Sequence, residues 1–408
     1  MNWLIKENEL DREQRNFLSE FINRSDNELI VGFPGSGKTM LLYYAALKIK
    51  ERNPDARILF VEFTHALINM IEAALYQIHI KDIKVLTQYE FEKEYKEKGM
   101  RREKYDCIIC DEVQDLTPHV LCHIKNQAQR VIMGGDPNQR IYEQDPRWKR
   151  PTCTEANIHE IFSPVVTRLN IVHRLSRFVI EAANEVMPEM NIMQEGRVSM
   201  TKKNIMIRLW KAQNQQQEVC AIMKEAREFL HRTDSVAILL PSHDKIIRFA
   251  NNALTDAGLP AWRITYNEHG EKDFGDLNAH LEVNGLPIRY VGNGYGTFLN
   301  DEPVIILMTY HGSKGLDFDK VFLPFCNHID SDTTQADNDK RVFMVGMTRS
   351  RGDLIISFSK KLNRFVAKFA DSCHHNDLTT DGSPMLFSNQ EKPLPKEKKL
   401  TMNELFGW

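Results

Sequence analysis

The chain has 408 residues, of which 42% are hydrophobic and 27% are charged, and its formal net charge is −3. This length accommodates two or three domains that each bury a core of their own, so a single small module is not expected. The near-neutral charge excludes a chain that binds nucleic acid over its whole surface, because phosphate binding would need Lys and Arg gathered in a local groove.

Cysteine usage and the N-terminal segment both indicate the cytoplasm. The seven cysteines are an odd number without the spacing of a disulfide framework, which predicts reduced thiols. Charge occurs too early in the N-terminal segment MNWLIKENELDREQ for a signal peptide, and no apolar run approaches the length of a membrane span. We therefore expect a cytoplasmic protein.

Two cysteine-containing patterns offer metal ligands, but neither predicts a metal site. Cys107 and Cys110 lie in an apolar run in which the alternation of a strand places them on opposite faces. Cys373, His374 and His375 have no partner cluster, and their segment is interpreted as a solvated loop.

Short β-branched runs alternate with helical patterns along most of the chain, which is typical of βα units around parallel sheets. A first series of predicted strands lies at residues 28–33, 56–61, 83–86, 106–110 and 130–135. A second series lies at residues 205–210, 235–240, 303–308, 320–325 and 353–358. Two successive series predict two tandem α/β domains with parallel sheets and a cleft between them.

The predicted domains are residues 1–165 and 166–376. Residues 263–303 are rich in Gly, Asn and Asp and lack long periodicity, so they are interpreted as a small insertion in the second domain. Residues 377–408 are polar and contain Pro, which predicts a flexible tail. The tail is either plainly disordered or carries a docking peptide for a protein partner at residues 400–408.

The segment GFPGSGKT at residues 32–39 matches the phosphate-binding P-loop, follows a predicted strand and opens a predicted helix. In that context the backbone of Gly35, Ser36 and Gly37 can wrap phosphates at a positive helix N-terminus. Lys38 can reach the β and γ oxygens, and Thr39 can ligate Mg²⁺. The segment therefore predicts that the cofactors are ATP and Mg²⁺.

Two later strands of the first series end in polar segments that extend this phosphate chemistry. CDEVQD positions Asp111 as a second magnesium ligand and Glu112 as the base that orients or deprotonates water. GGDPNQRIY contains Gln139, which could sense the γ-phosphate, although the same spacing fits an ordinary turn.

Over most of its length the chain resembles the UvrD/Rep/PcrA-type superfamily 1 helicases. The segments that match the Q-motif and motifs I, Ia, Ib, II, III, IV, V and VI are, in order, LDREQ, GFPGSGKT, ILFVEFTHAL, VLTQYEF, DEVQD, GGDPNQRIY, LNIVHRLS, LMTYHGSKGLDFDKVFL and VGMTRSR. The resemblance implies two RecA-like domains around an ATP cleft. It also implies single-stranded DNA as the track and movement from 3' to 5'.

The same resemblance implies roles for single residues around the nucleotide. Gln14 is expected to read the adenine edge, and His173 stands where the family usually has a tyrosine that stacks on adenine. Gly315 matches a position near the ribose and the γ-phosphate, as does Asp317, where the family more often has Glu.

Two arginines and two motif II residues are expected to link the domains. Arg174 and Arg349 match the motif IV and motif VI arginines, which stabilise transition-state charge when the cleft closes. Gln114 and Asp115 are expected to face motif III and the second domain, where they would couple the state of the nucleotide to movement.

The residues that the resemblance assigns to the DNA are Phe63, Thr64, Thr87, Tyr89, Tyr142 and His311. Stacking of bases on aromatic side chains tolerates any sequence, which suits a track that is released and gripped again. Phe63 also fits a core aromatic beside a strand. Trp148 lies later than the tryptophan that follows motif III in the family.

The leading hypothesis is an ATP-dependent translocase on single-stranded DNA and tailed duplexes that acts as a 3' to 5' helicase. A second hypothesis is a DNA-stimulated ATPase subunit that regulates a nuclease or a replication or repair partner without processive unwinding. The intervals between motifs leave little room for the accessory subdomains of larger relatives, so translocation is expected more firmly than robust unwinding. A P-loop enzyme acting on a small molecule should instead be indifferent to DNA.

Overall fold

The computed structural model describes residues 5–63, 65–77, 80, 82–98, 104–136, 140, 143–145, 147–190, 192–199, 204–230, 235–298, 303–328 and 333–379. These residues form a six-stranded sheet, a seven-stranded sheet and a two-stranded ribbon. The strand pairings within both large sheets are parallel. The predicted fold class, two tandem α/β domains of the RecA-like kind, is confirmed.

The first sheet has the strand order β3-β2-β4-β5-β1-β6. Its strands are β1 (Glu28–Gly32), β2 (Ile58–Glu62), β3 (Lys84–Thr87), β4 (Tyr105–Cys110), β5 (Ala128–Gly135) and β6 (Val165–Leu169). Its helices are α1 (Arg12–Phe21), α2 (Lys38–Arg52), α3 (His65–Gln77), α4 (Gln88–Lys98), α5 (Pro118–Gln127) and α6 (Glu155–Phe162). Every strand of the first predicted series overlaps one of these strands.

Helices cover both faces of the first sheet, which explains why its strands read as apolar runs rather than as an alternation. Side chains from α1, α2 and α3 pack on one face together with Cys107 and Ile109. Side chains from α4, α5 and α6 pack on the other face together with Ile108 and Cys110. The two cysteines therefore point to opposite faces, as the strand alternation predicts, and both are free thiols.

The second sheet has the strand order β11-β12-β10-β13-β14-β9-β15, and a separate ribbon pairs β7 with β8. The strands are β7 (Ile171–Val172), β8 (Arg197–Val198), β9 (Arg208–Lys211), β10 (Val236–Leu240), β11 (Ile288–Tyr290), β12 (Ile305–Thr309), β13 (Phe318–Leu323), β14 (Ser350–Phe358) and β15 (His374–Asp377). The helices are α7 (Arg177–Val186), α8 (Ile192–Glu195), α9 (Gln215–Leu230), α10 (His243–Asp256), α11 (Phe274–Val283) and α12 (Thr333–Met347).

The segment interpreted as a small insertion, residues 263–303, contains two regular elements among its described residues. Helix α11 buries Phe274, Leu277 and Leu281 in the core of the domain. Strand β11 then pairs with β12 and forms one edge of the sheet. The absence of long periodicity reflects the shortness of these two elements.

Strand pairing corrects one further sequence interpretation and locates the end of the first sheet relative to the proposed domain join. The segment that contains His374 and His375, interpreted as a solvated loop, forms the edge strand β15 beside β9. Strand β6 pairs with β1, so the first sheet continues past the join proposed at residue 165 and ends at Leu169. The predicted tail lies outside the described residues, apart from its beginning.

A single apolar cluster joins the two halves of the chain. It contains α1, α2 and α3 side chains of the first domain together with side chains of β9, β10, β12, β13 and β14 of the second. None of the helices in the described part of the chain is long and apolar enough to cross a membrane.

Candidate nucleotide site at the junction of the two sheets

Three loops of the first sheet meet at one edge. They follow β4, β5 and β1, which are neighbours in the sheet and run parallel, so their carboxyl ends lie side by side. Ligands of open α/β sheets bind at this edge. The loop after β1 is the P-loop, the loop after β4 begins with Asp111, and the loop after β5 begins with Asp136.

The P-loop requires glycine at two positions, both for the backbone conformation and for the close approach of a neighbouring side chain. Gly35 and Gly37 both have positive φ, at 78° and 90°, which strains any other residue. A Cβ at Gly35 would lie 2.4 Å from the Cβ of Arg174, and a Cβ at Gly37 would lie 2.6 Å from Nε2 of Gln14. The loop is therefore packed directly against residues that the resemblance assigns to the nucleotide.

Lys38 lies inside the loop that it closes. Its Nζ donates hydrogen bonds to the carbonyl oxygens of Gly32, at 2.7 Å, and Phe33, at 3.3 Å. Burial lowers the pKa of Lys38, while the nearby carboxylates of Asp136 and Glu112 oppose that shift. The ammonium is thus held by weakly competing carbonyl groups at the place where phosphate oxygens would bind.

Thr39 and Asp111 form the oxygen pair expected for a magnesium ion. The Thr39 hydroxyl donates a hydrogen bond to the Asp111 carboxylate. Burial and the adjacent charge of Glu112 raise the pKa of Asp111 to about 6. A dication would relieve both effects, and hydroxyl and carboxylate oxygens are ligands that Mg²⁺ accepts. The two residues therefore fit the metal that a P-loop requires.

Glu112 is buried but surrounded by positive charge. Burial alone would raise the pKa of Glu112, but Lys314, Lys38 and Arg349 hold it below its ordinary value. Gln114 fixes the carboxylate by donating a hydrogen bond from Nε2 at 2.6 Å. An ionised carboxylate with a fixed orientation can accept a proton from water, which is the role predicted for Glu112.

Gln114 and Asp115 connect this acidic cluster to its surroundings. The Oε1 atom of Gln114 accepts a hydrogen bond from the backbone N–H of Asp136, at 3.1 Å, in the loop after β5. Asp115 accepts a hydrogen bond of 2.5 Å from Nζ of Lys314, which belongs to the second domain. Both partners of this ion pair are buried, with side-chain exposures of 0% and 2%. Motif II therefore contacts motif III and the second domain, as the resemblance implied.

Arg174 and Arg349 share one backbone acceptor beside the P-loop. Nη1 of Arg174 lies 3.5 Å from the Leu316 carbonyl oxygen, and Nη1 of Arg349 donates to the same oxygen at 3.1 Å. The backbone N–H of Arg174 also donates to the Gly35 carbonyl. Burial and the neighbouring Arg174 lower the pKa of Arg349 to about 9. The two guanidinium groups thus lie close together and near the carboxylate of Glu112.

Gln14 and His173 meet at the outer end of the P-loop. Nε2 of Gln14 donates to the Ser36 carbonyl oxygen at 3.0 Å. The carboxylate of Asp11 accepts from the Gln14 backbone at 2.8 Å and contacts Nε2 of His173 at 2.6 Å. The two residues assigned to the adenine are consequently tied to each other through Asp11.

The remaining nucleotide-side residues lie on the second domain's edge of the junction. Gly315 has a φ of 78°, and a Cβ there would lie 2.4 Å from Leu67 of the first domain. Asp317 accepts a hydrogen bond from Arg174 at 3.4 Å and lies 3.6 Å from Nε of Arg351. Asp317 therefore lies between the guanidinium groups of Arg174 and Arg351, which its carboxylate helps to orient.

Two family models match separate parts of the sequence. A model described as an AAA domain matches residues 15–145, which contain the P-loop and the acidic cluster. A model described as the UvrD-like helicase C-terminal domain matches residues 284–361, which contain Lys314 and Arg349. The chain belongs to the UvrD-like superfamily 1 helicases. The sequence resemblance to this family is confirmed.

Two other comparisons concern whole proteins. No curated protein matches this UvrD-like helicase. A solved structure entitled "Crystal structure of Arterivirus nonstructural protein 10 (helicase)" is 14% identical and superposes with a TM-score of 0.41. The match covers 87% of this chain and 64% of that chain, so the helicase described here spans less than two thirds of the viral protein.

Two residues that the resemblance assigns to DNA are occupied elsewhere in this UvrD-like helicase. The Thr87 hydroxyl exchanges hydrogen bonds with Glu90 and caps the start of α4, and Thr87 is 1% exposed. This placement gives Thr87 a capping role, and its contact with DNA stays a prediction. Phe63 is 8% exposed, in line with the alternative of a core aromatic.

Tyr89 and His311 keep some exposure, but each already has neighbours. The Tyr89 hydroxyl donates to Asp145 at 2.8 Å, and its ring packs edge-on against Trp148 with centroids 4.8 Å apart. His311 is half-buried, and burial together with the charge of Lys314 lowers its pKa. Thr64, Gln139 and Tyr142 lie outside the described residues.

Sequence reasoning missed Lys314, Asp145 and Arg351 as functional candidates. Lys314 stands inside the HGSKG stretch of motif V, so the motif itself was a signal, although its burial was not readable. Arg351 follows Arg349 in TRSR and pairs with Asp319 at 3.1 Å. Asp145 carries no local signal, because it collects partners from distant parts of the chain.

Proposed function

We propose that this UvrD-like helicase is an ATP-dependent translocase on single-stranded DNA that moves from 3' to 5' and acts as a helicase on tailed duplexes. One observation carries the proposal. The buried ion pair between Asp115 and Lys314 joins the acidic cluster of the P-loop domain directly to the second domain. A motor requires a nucleotide site that is in direct contact with a second domain, so that hydrolysis can move that domain. An enzyme that acts on a small molecule does not require this contact.

The residues at the junction fit the hydrolysis of ATP with Mg²⁺. Thr39 and Asp111 would hold the metal, which supplies positive charge to the β and γ oxygens. Lys38 would exchange its carbonyl partners for phosphate oxygens. Glu112 would orient a water and accept its proton, because the surrounding cations keep its carboxylate ionised. Each role uses a group already oriented by a hydrogen bond.

The arginines would make hydrolysis depend on how the domains sit against each other. Arg349 belongs to the second domain and is held by the carbonyls of Val345 and Leu316. Arg174 bridges from the Gly35 backbone to Leu316 and Asp317. A guanidinium supplied in this way typically contributes about 10³ to 10⁵ in rate. A shift of one domain would therefore change the rate at the other.

The identity of the track rests on the resemblance. Motif III in GDPNQRIY and motif V in YHGSKGLDF have the form of the UvrD side, which supports DNA and the 3' to 5' direction. Of the residues assigned to DNA, Tyr89 and His311 keep exposed surface among the described residues. These two side chains are the ones we propose as track contacts in the described part of the chain.

A second candidate is a DNA-stimulated ATPase subunit that serves a nuclease or a replication or repair partner without processive unwinding. The compactness of the first domain favours it. Between α2 and β4, the described residues form only β2, α3, β3 and α4, which are elements of the sheet and its covering helices. No accessory subdomain occurs among them, so nothing there would hold separated strands apart. The C-terminal segment 400–408 would then recruit the partner.

Tailed duplexes separate the two candidates. ATP turnover should rise on addition of single-stranded DNA, and Lys38→Ala should abolish it. Strand displacement from a 3'-tailed duplex but not from a 5'-tailed duplex would support the helicase. Stimulated turnover without displacement from either duplex would support the subunit. Turnover that ignores DNA altogether would contradict both.

A further inference from the structure

A second group of polar side chains lies on the face of the first sheet that points away from the second domain. Glu92 on α4 and His119 and His123 on α5 bring one carboxylate and two imidazoles together. The ligand atoms of the three residues all lie within 4.8 Å of one another. The nucleotide site uses none of them.

The distances within this cluster approach those of a coordination sphere. A tetrahedral ion with bonds of about 2.0–2.2 Å places its ligand atoms about 3.3–3.5 Å apart. Nε2 of His119 lies 3.5 Å from one oxygen of Glu92. Nδ1 of His123 lies 2.5 Å from the other oxygen, at the distance of a hydrogen bond with one proton between the two atoms. A metal ion would replace that proton, and small rotations of the two rings would complete the sphere.

Burial and stacking hold the three groups in place. The Glu92 side chain is 2% exposed, so its two oxygens are committed to the histidines rather than to water. The ring of Tyr95 stacks on His123 at 4.0 Å with an interplanar angle of 15°. His119 is 39% exposed, which leaves a route for an ion and a position for a water ligand. Burial and the neighbouring His123 lower the pKa of His119, which favours the neutral imidazole that a metal needs.

We propose that Glu92, His119 and His123 form a binding site for Zn²⁺ or a divalent ion of similar chemistry. Two imidazoles with one carboxylate suit zinc and related transition ions, whereas Mg²⁺ and Ca²⁺ prefer oxygen ligands alone. The histidines lie one helical turn apart on α5, so they face the same side. The ion would cross-link α4 to α5. Helix α4 starts directly after Thr87, and α5 starts three residues after Asp115 of the acidic cluster.

The test is metal binding by the full chain, stripped of metal and without nucleotide. Titration with Zn²⁺ by calorimetry, and with Co²⁺ by its visible spectrum, should reveal one site that is lost or weakened at least about tenfold in His119→Gln/His123→Gln. Zn²⁺ should also raise the Tm of the original chain but not of this variant. Glu92→Gln should weaken binding similarly. If the double histidine variant or Glu92→Gln does not fold, the single variant His119→Gln, at the most exposed of the three residues, takes its place in the titration.

The matched control is His159→Gln. His159 on α6 is also a half-exposed histidine near a glutamate, with Glu155 of the same helix at 3.9 Å, but this pair contains no second histidine. This variant should keep the site. Equal binding by the original chain and His119→Gln/His123→Gln would overturn the proposal, as would an equal loss in His159→Gln.

Discussion

At the scale of single residues, the adjacent acids Asp111 and Glu112 are given different chemistry by their neighbours. Asp111 accepts a hydrogen bond from the Thr39 hydroxyl. Its pKa is raised because it is buried beside another carboxylate. Glu112 faces Lys314 and other cations and keeps a lowered pKa. Groups whose environments push their pKa values apart are typical of acid and base assignments. One acid is prepared for a metal and the other for a proton.

Arg349 is the residue on which the proposed ATPase most depends. Replacing it with Lys keeps a positive charge but removes the planar guanidinium, which donates to the Leu316 and Val345 carbonyl oxygens together. We expect Arg349→Lys to lower DNA-stimulated ATP turnover by about 10³ or more, with a smaller effect on ATP binding. Steady-state turnover and nucleotide-binding titrations measure the two effects separately.

Arg208→Lys is the control for this change. Arg208 also pairs with acids of the second domain, Glu225 and Asp353, but it lies on β9, away from the nucleotide loops. This variant should retain the turnover of the original chain. Normal turnover in Arg349→Lys, with an unchanged melting curve, would remove the arginine from the proposed mechanism.

At the scale of elements, one buried carboxylate holds together the start of α4 and the loop that leads to α6. Asp145 is 0% exposed and accepts hydrogen bonds from the side chains of Gln88 and Tyr89, both at 2.8 Å. It also accepts from the backbone N–H groups of Arg147 and Trp148. The Tyr89 side chain and the Trp148 ring that packs on it therefore depend on a single acceptor.

Asp145→Ala should release this assembly. The change leaves one buried donor, on Gln88, and three partly buried donors without their acceptor, which costs roughly 2–4 kcal/mol. We expect a lower Tm and a higher concentration of single-stranded DNA for half-maximal ATP turnover, because Tyr89 is a proposed track contact. Thermal melting and a DNA titration of turnover check the two parts. Asp55→Ala, which removes an exposed carboxylate before β2, should change neither.

The elements that sequence predicts best are those whose signal is local. The P-loop and most strands of both sheets were predicted because turn glycines and apolar runs are contiguous in the chain, whereas β6 and β11 were not predicted. Strand β15 was missed because its residues HHND are polar and mostly exposed, so an edge strand there has no apolar pattern. The role of Asp145 was missed because its partner Gln88 is 57 positions away. A hydrogen bond between residues far apart in the chain does not affect the local spacing of apolar residues, from which elements are predicted.

At the scale of the whole molecule, the two domains are joined by an apolar cluster and by Lys314, which is buried beside both Asp115 and Glu112. The cluster holds the two domains together through apolar contacts and contains no charged group that would respond to the nucleotide. The pair between Asp115 and Lys314 lies three positions from Glu112 on one side and beside Gly315 on the other. We expect phosphate charge that enters or leaves the site to act on this pair, because Lys314 also lies 3.8 Å from Glu112.

This connection predicts a reciprocal linkage between nucleotide and DNA. If the ion pair transmits the state of the nucleotide, a non-hydrolysable ATP analogue should change the affinity for single-stranded DNA by about tenfold, and DNA should change the affinity for the analogue by the same factor. Lys314→Met should bring both factors close to one. Fluorescence titrations of each ligand, with and without saturating amounts of the other, measure the two factors.

Loss of one partner also leaves a buried charge unpaired, which typically costs 3–5 kcal/mol and could mimic uncoupling by loosening the fold. Combining Lys314→Met with Asp115→Leu removes both charges of this pair and should recover part of the lost Tm without restoring the linkage. Recovery is partial because Glu112 still loses the cation that lies 3.8 Å away. Coupling that persists in this folded double variant would show that the apolar cluster transmits the signal. Coupling that disappears while each ligand still binds alone would assign the transmission to the ion pair, because adhesion between the domains would then be intact.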